Sequence, residues 1–416
     1  MPRSAALSDM RLRVREALAR TPVTDIHTHV YAPAFGSLLL WGIDELLNHH
    51  YLIAETLRWG EVTPAEFWEM GRREQADLVW KTLFLDHSPV SAAAEGLLET
   101  LRALGLDVES RDLEAFRAFF AAQTPEAIVD RVFECAGLES LVMTNDPFDD
   151  AERSVWEAGP QIDPRFHAAL RLDSLILAWD TNFPRLREWG YGVEGPLGGR
   201  TIAEVRRFLH HWIDRMEPLY LMLSLSPAWR FPDGSPVNRM LEECMLAVAA
   251  ERGLPVALMP GCRRQVNPDL RLAGDSVGVS DLSSLERLLA RYPKIRFLVT
   301  VLSRENQYEL NVVARKFPNL MTFGCWWFLN IPYLIDEITR MRMELLGLSH
   351  IPHHSDVRVM EQVIPKWAHA RHFTEAVLAE RYTALEETGW RVTDAEIERD
   401  CRDLMGRNFW RFIGRM

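Results

Sequence analysis

Eight short apolar runs, most of them separated by segments of helical period, constrain this chain more than any other feature. They are Thr24–His29, "LVMTND" (Leu141–Asp146), "AALRLD" (Ala168–Asp173), "LYLMLSL" (Leu219–Leu225), "VALMPG" (Val256–Gly261), "RFLVTVL" (Arg296–Leu302), "MTFGCWW" (Met321–Trp327) and "HIPHHSD" (His350–Asp356). Runs of Val, Ile, Leu and aromatics bounded by turn formers read as strands. Several intervening segments carry helix-start signals: Thr201 with Glu204, and Ser283 with Glu286, have capping-box spacing. Near-continuous apolar strands alternating with helices predict a parallel sheet covered on its outside, and eight strands is the number that closes a (β/α) barrel. The same alternation also allows an open doubly wound sheet.

The first connection is too long for a structureless loop. From Tyr31 to Glu139 the text is helical, with "TPAEFWEM" starting at Thr63 and "TPEAIVDRVF" at Thr124, each placing Pro at the first helical position. The expected fold is therefore α/β, a (β/α)8 TIM barrel with a helical insertion after strand 1. Residues 1–30 hold the first helix and strand, 31–139 the insertion, and 140–416 the remaining barrel and C-terminal helices.

Composition narrows the function. The 416 residues contain no apolar stretch near the roughly 20 needed to cross a bilayer, and the Arg-rich N-terminus reads as an ordinary first helix, so membrane insertion and secretion are not expected. Five scattered cysteines without a CxxC pair indicate neither a disulfide framework nor a thiolate zinc site, which suits the cytoplasm. A net charge of -12 argues against general nucleic-acid binding. An anionic substrate would need local arginines.

Barrel chemistry sits where the C-terminal ends of the strands converge on one mouth. The polar residues there are His27 and His29 on strand one, Asn145 and Asp146 on strand two, Arg171 and Asp173 on strand three, and His353, His354, Asp356 and Arg358 on strand eight. Residues i and i+2 of a strand share a face, so His27 and His29 can offer two imidazoles to one ion. With Asp356, from the strand adjacent in a closed barrel, they form a candidate divalent-ion site, zinc being the first choice. Alternatively the histidines donate to loop carbonyls and Asp356 caps a helix. Arg171 and Arg358, each two residues from an Asp, suit bidentate binding of a substrate carboxylate, although each could instead pair with its neighbour.

In "NHHY" (Asn48–Tyr51), His50 and Tyr51 are competent proton carriers if the insertion brings them over the mouth. Against this, Tyr51 could pack on the apolar face of a single amphipathic helix, "DELLNHHYLIAETLRW". In "GCWWF" alternation sends at most one indole into the cavity, Trp327 being the candidate for substrate contact. His210, His211, His369 and His372 fall on helical segments and are assigned to surface or packing.

The HxH at strand one, "HHY", "MTNDPFDD", "RLD", "GCWWF" and "HHSDVR", in that order, resemble the uronate (glucuronate) isomerases of the amidohydrolase superfamily, and the likeness runs from Thr24 to "RNFWRFIGRM". The resemblance implies a distorted (β/α)8 barrel, homo-oligomers and the isomerisation of D-glucuronate to D-fructuronate and of D-galacturonate to D-tagaturonate. It implies one metal ion, often zinc, on His27, His29 and Asp356. By the same carry-over Arg171 and Arg358 bind or polarise substrate, with His50 and Tyr51 at the reacting end. Asp356 would assist ring opening, and Tyr51, acidified by nearby positive charge, would relay the proton with Arg358. The chain departs from common members at Leu52, Ile53 and Ala54, where Lys-Trp-Arg is usual, and at Met259, where strand five usually carries a histidine. These departures mark a divergent bacterial branch.

The chief rival is a metal-dependent amidohydrolase acting on a small carboxylated substrate. Strands four to six lack the additional histidines or bridging lysine that such hydrolysis usually needs. A sugar-acid binding protein would keep the arginines without needing an ion and a proton carrier beside them.

Overall fold

The computed structural model describes residues 3–416. Seven strands, β1 (Val23–Thr28), β2 (Leu138–Asn145), β3 (Phe166–Arg171), β4 (Leu221–Leu225), β5 (Val256–Pro260), β6 (Phe297–Val299) and β7 (Leu320–Thr322), form one parallel sheet in chain order. The alternation within them follows the period of two. Val142, Ala169, Met222, Ala257, Leu298 and Met321 pack together inside the curl with Phe409 and Ile413 of the C-terminal helix. Their neighbours Leu141, Leu170, Leu223, Leu258 and Val299 belong to the outer core between sheet and helices. Burial on both faces is why the strands read as continuous apolar text.

The eighth run, His350–Asp356, does not form a regular strand. It is extended and bonded on both sides. Ile351 N–H donates to Thr322 O (3.0 Å) and Ile351 O accepts from Gly324 N–H (3.0 Å), while Asp356 N–H donates to His27 O (3.1 Å) and His29 N–H to Val357 O (2.8 Å). Pro352 removes a ladder donor, and Asp356 at φ 54° leaves extended geometry, so pairing cannot be continuous. The ring nevertheless passes through this segment, and the fold is α/β, a distorted (β/α)8 barrel.

Between β1 and β2 the chain runs through helices, among them His50–Arg58, Pro64–Glu69, Ala92–Ala103 and Pro125–Ala136. Thr63 and Thr124 cap two of them through N–H bonds from Glu66 and Ala127. The single helix expected around "NHHY" is two, Ile43–Leu47 and His50–Arg58. Asn48 breaks the run by donating its side-chain amide to the carbonyls of Asp44 and Arg72.

Two expected capping boxes also differ. Thr201 and Glu204 lie inside helix Gly199–Met216 and accept instead from the N–H groups of Glu194 and Gly192 in the preceding loop. Asp281, not Ser283, caps helix Leu282–Arg291. A loop amide or an acidic residue two positions earlier competes for the same role, which spacing alone does not reveal. Among the described residues no helix is long and apolar enough to cross a membrane.

One glycine is required by close approach. Gly324 has φ 62°, and a Cβ there would lie 1.6 Å from His354 Nδ1. Gly324→Ala should destabilise the fold by more than about 2 kcal/mol, read as a lowered urea midpoint at unchanged slope.

Candidate active site

The first and last segments of the barrel meet at its C-terminal mouth. The β1–β2 register shifts between Asp25 and Thr28. Such an irregularity re-aims side chains: Asp25 accepts from Trp367 Nε1 in the helix layer (2.8 Å), while His27 and His29 line the mouth cavity. Asp25, wholly buried, also accepts from Ser355 N–H (3.1 Å) and His27 N–H (3.4 Å). It thereby ties the segment carrying Asp356 to the strand carrying the histidines. Asp25 was not among the residues singled out from sequence, although "DIHTH" put it two places before His27.

His27 Nε2 lies 3.4 Å and His29 Nε2 3.3 Å from Asp356 Oδ1. Donors about 2.0 Å from a tetrahedral ion stand about 3.3 Å apart, so the spacing fits one cation. These three residues can hold a metal ion, and Asp356 Oδ1 has no hydrogen-bond partner. Thr144 donates its hydroxyl proton to Thr28 O (2.9 Å), so it accepts from His29 Nδ1–H (2.7 Å). That bond fixes the tautomer and leaves the Nε2 lone pair facing Asp356. Burial, helped by the Arg358 charge, holds His29 down at about 3, so its imidazole is neutral.

The cavity also takes in His50, Tyr51, Arg171, Trp327 and Arg358. Arg171 donates from Nε (3.1 Å) and Nη2 (2.7 Å) to Asp173, which also accepts from Ser224 N–H. It is thus both paired with its neighbour and part of the cavity wall. The Arg358 guanidinium makes no ion pair among the described residues, and its field acts on His29, His50 and Tyr51. Both Trp326 and Trp327 line the cavity, contrary to the alternation argument. β7 ends at Thr322, and positive φ at Gly324 (62°) and Trp327 (48°) destroys the period of two.

The expected acidification of Tyr51 is reversed. Burial and the Asp356 charge push its phenol well above 10, outweighing Arg358. His50 is neutral, held down at about 3 by burial and Arg358.

Other strand-end candidates serve as supports. Asn145 donates to buried Glu152 (2.6 Å), and Asp146 accepts from Ser174. His354 packs edge-on to His27 with ring centroids 5.3 Å apart, and His353 packs edge-on to Trp367. His210 pairs with Glu251 (3.2 Å) and His369 with Glu99 (3.0 Å), while His211 and His372 pack edge-on to Trp212 and Phe373. Sequence reasoning also missed Lys366. It shares with Tyr51, Trp327 and Asp356 a second chamber behind the mouth, and burial holds its ammonium down at about 8. An isolated lysine in a helix carries no spacing signal.

A uronate isomerase from Bacillus halodurans C-125 superimposes with a TM-score of 0.97 at 51% sequence identity, covering 99% of this chain and 97% of that one. The chain belongs to the uronate isomerase family. Membership makes it an aldose–ketose isomerase. Two more distant structures share its fold: a uronate isomerase from Thermotoga maritima (TM-score 0.77, 16% identity, 97% of both chains) and a glucuronate isomerase from Caulobacter crescentus (TM-score 0.77, 17% identity, 98% of this chain and 94% of that one). No protein-family model matches the sequence, and no curated protein matches it.

In this uronate isomerase family member, Thr144→Val keeps the volume but removes the acceptor for His29 Nδ1–H. Affinity for an added divalent metal ion, measured by competition with a chromophoric chelator, should fall about 10- to 100-fold.

Proposed function

We propose that the mouth cavity interconverts D-glucuronate and D-fructuronate, and D-galacturonate and D-tagaturonate, by moving a proton between C2 and C1 through a cis-enediol. The observation that carries this reading is the convergence on one cavity of the His27–His29–Asp356 group, the Tyr51 phenol and an Arg358 guanidinium without an ion-pair partner. Residues 31–139 act as the helical insertion that delivers His50 and Tyr51.

His27, His29 and Asp356 would hold one divalent ion, zinc being the match for two imidazoles and a carboxylate. When bound it supplies positive charge that polarises a substrate oxygen.

The protein's own groups account for the proton movements. As the ring opens, Asp356 accepts the anomeric hydroxyl proton and the Tyr51 phenol gives its proton to the departing ring oxygen; protonation removes the Asp356 charge that raises the phenol, and Asp356 returns its proton to Tyr51 once the ketose has formed. Arg358, the opposing charge, then lowers the cost of phenolate formation, and Tyr51 carries the proton from C2 to C1. Negative charge that develops on O1 is stabilised by the Arg358 guanidinium, which is worth more in the transition state than in the ground state. As the proton on O2 shifts to O1, aldose becomes ketose with no change in formula. Neutral His50 donates to a substrate hydroxyl, Trp327 supplies an apolar wall, and Arg171 holds the acid group.

A hydrolase would need a strongly activated water. In this cavity β4 and β5 contribute Met222, Ser224 and Met259 rather than further imidazoles, which favours isomerisation.

Incubation with D-glucuronate should yield a keto-carbon signal of D-fructuronate by ¹³C NMR; absence of any ketose, with galacturonate also inert, rejects the proposal. Tyr51→Phe should lower kcat by about 10²- to 10⁴-fold while leaving KM within a few-fold. Near-normal turnover would remove Tyr51 from the mechanism.

A further inference from the structure

Beyond Arg171 and Arg358, a third guanidinium lines the mouth cavity. Arg264 follows β5 on a two-stranded hairpin, Cys262–Arg263 paired with Ser276–Val277. Its Nη1 donates to Asp275 Oδ2 at 2.6 Å, and the Asp275 side chain is only 3% exposed against 48% for Arg264. The other Asp275 oxygen accepts from Gln265 N–H at 2.7 Å. A buried anchor thus holds the base of a half-exposed cation at the rim. Arg264 makes no other hydrogen bond among the described residues, so Nε and Nη2 remain free to donate. Its Cζ stands 5.8 Å from the Trp327 ring centroid, which keeps the fork above the cavity.

The strand order adds a direction. β4 and β5 lie across the ring from β1 and the 350–357 segment. The reacting carbons must lie beside Asp356, Tyr51 and Arg358, so the opposite end of a sugar acid points toward Arg171, Ser224 and Arg264.

The hairpin is also tied to the helical layer. Trp68 donates its indole N–H to Asp269 O (2.8 Å), and Arg271 Cζ sits 4.3 Å over the Trp68 ring. Trp68 is outside the cavity lining, yet it holds the loop from which Arg264 projects.

We propose that Arg264 is a specificity-determining residue that donates from Nε and Nη2 to the carboxylate at the non-reacting end of the substrate, and that Trp68 is a positioning residue for it. The inference rests on the uronate reading of the site. Ion pairing with Asp275 leaves the fork rigid rather than spent, since a guanidinium carries five N–H groups. Bidentate donation is a demand that a lysine meets poorly.

The test compares the wild-type enzyme with Arg264→Met, Arg264→Lys and Trp68→Ala. KM for D-glucuronate is measured with kcat, and affinity for D-gluconate, which has a carboxylate but no aldehyde, is measured by calorimetry. Arg264→Met should raise both KM and the gluconate Kd by about tenfold or more with kcat within about threefold, and Arg264→Lys should recover only part of the loss. Trp68→Ala should raise KM by about three- to tenfold at wild-type kcat, a split that general destabilisation does not produce. Matched thermal melts identify any variant that is misfolded, and Arg264→Lys then carries the comparison. KM and gluconate Kd unchanged within twofold in the Arg264 variants would overturn the inference. A wild-type enzyme that binds gluconate but forms no ketose would instead sink the isomerase reading, with the gluconate Kd still testing Arg264.

Discussion

The site depends on a buried carboxylate that is not itself part of the cavity wall. Asp25 receives hydrogen bonds from Ser355 N–H, His27 N–H and the Trp367 indole. Those three donors come from the closing segment, the first strand and the outer helix layer. Burial pushes the Asp25 carboxyl up, and the donors oppose that push. Leaving such donors unsatisfied in a dry interior costs more than the bonds contribute when made, so the geometry around Asp25 is strongly enforced. The distances between His27, His29 and Asp356 follow from it, because these contacts and two main-chain bonds tie the first strand to the closing segment.

Backbone strain gathers at the same place. Asp356 and Trp327 both have positive φ, and both line the mouth cavity. Asn330 spans the two stretches, donating its side-chain amide toward the carbonyls of His354 and Ser355 while its own carbonyl accepts from Lys366 Nζ (3.1 Å). Strained residues persist where the surroundings over-determine them. The electrostatics are arranged with similar economy: Arg171 and Arg264 are neutralised by Asp173 and Asp275, whereas Arg358 keeps an open charge beside Tyr51. On a chain with a net charge of -12, an acidic sugar would depend on these local guanidiniums for its binding.

Much of this was legible in the text. The period of two in β2 to β6, the Pro-led helices at Thr63 and Thr124, and the HxH on strand one come from local chemistry, and local chemistry is what a sequence displays. The misreadings have a common cause. Thr201 and Glu204 have the spacing of a cap but answer to loop amides. "GCWWF" looks like a strand end until positive φ at Gly324 and Trp327 breaks the alternation. Tyr51 lies near positive charge, as the text suggested, but burial and Asp356 dominate. In each case the deciding partner is remote in sequence or is the solvent exclusion itself.

By itself the sequence determined the alternation of strand and helix, the residue types able to bind an ion and an acid, and their order along the chain, because propensity, period and side-chain chemistry act over a few residues. Only the tertiary structure decided which of those groups meet. It set Asp356 within ligand distance of both His27 and His29 while leaving His353 and His354 as packing groups, kept Arg358 out of any ion pair among the described residues while pairing Arg171, and brought in Asp25, Thr144 and Arg264. Those choices depend on a register shift in β1, an irregular closing segment and the exclusion of water, and their energies come from contacts between residues as much as 342 positions apart.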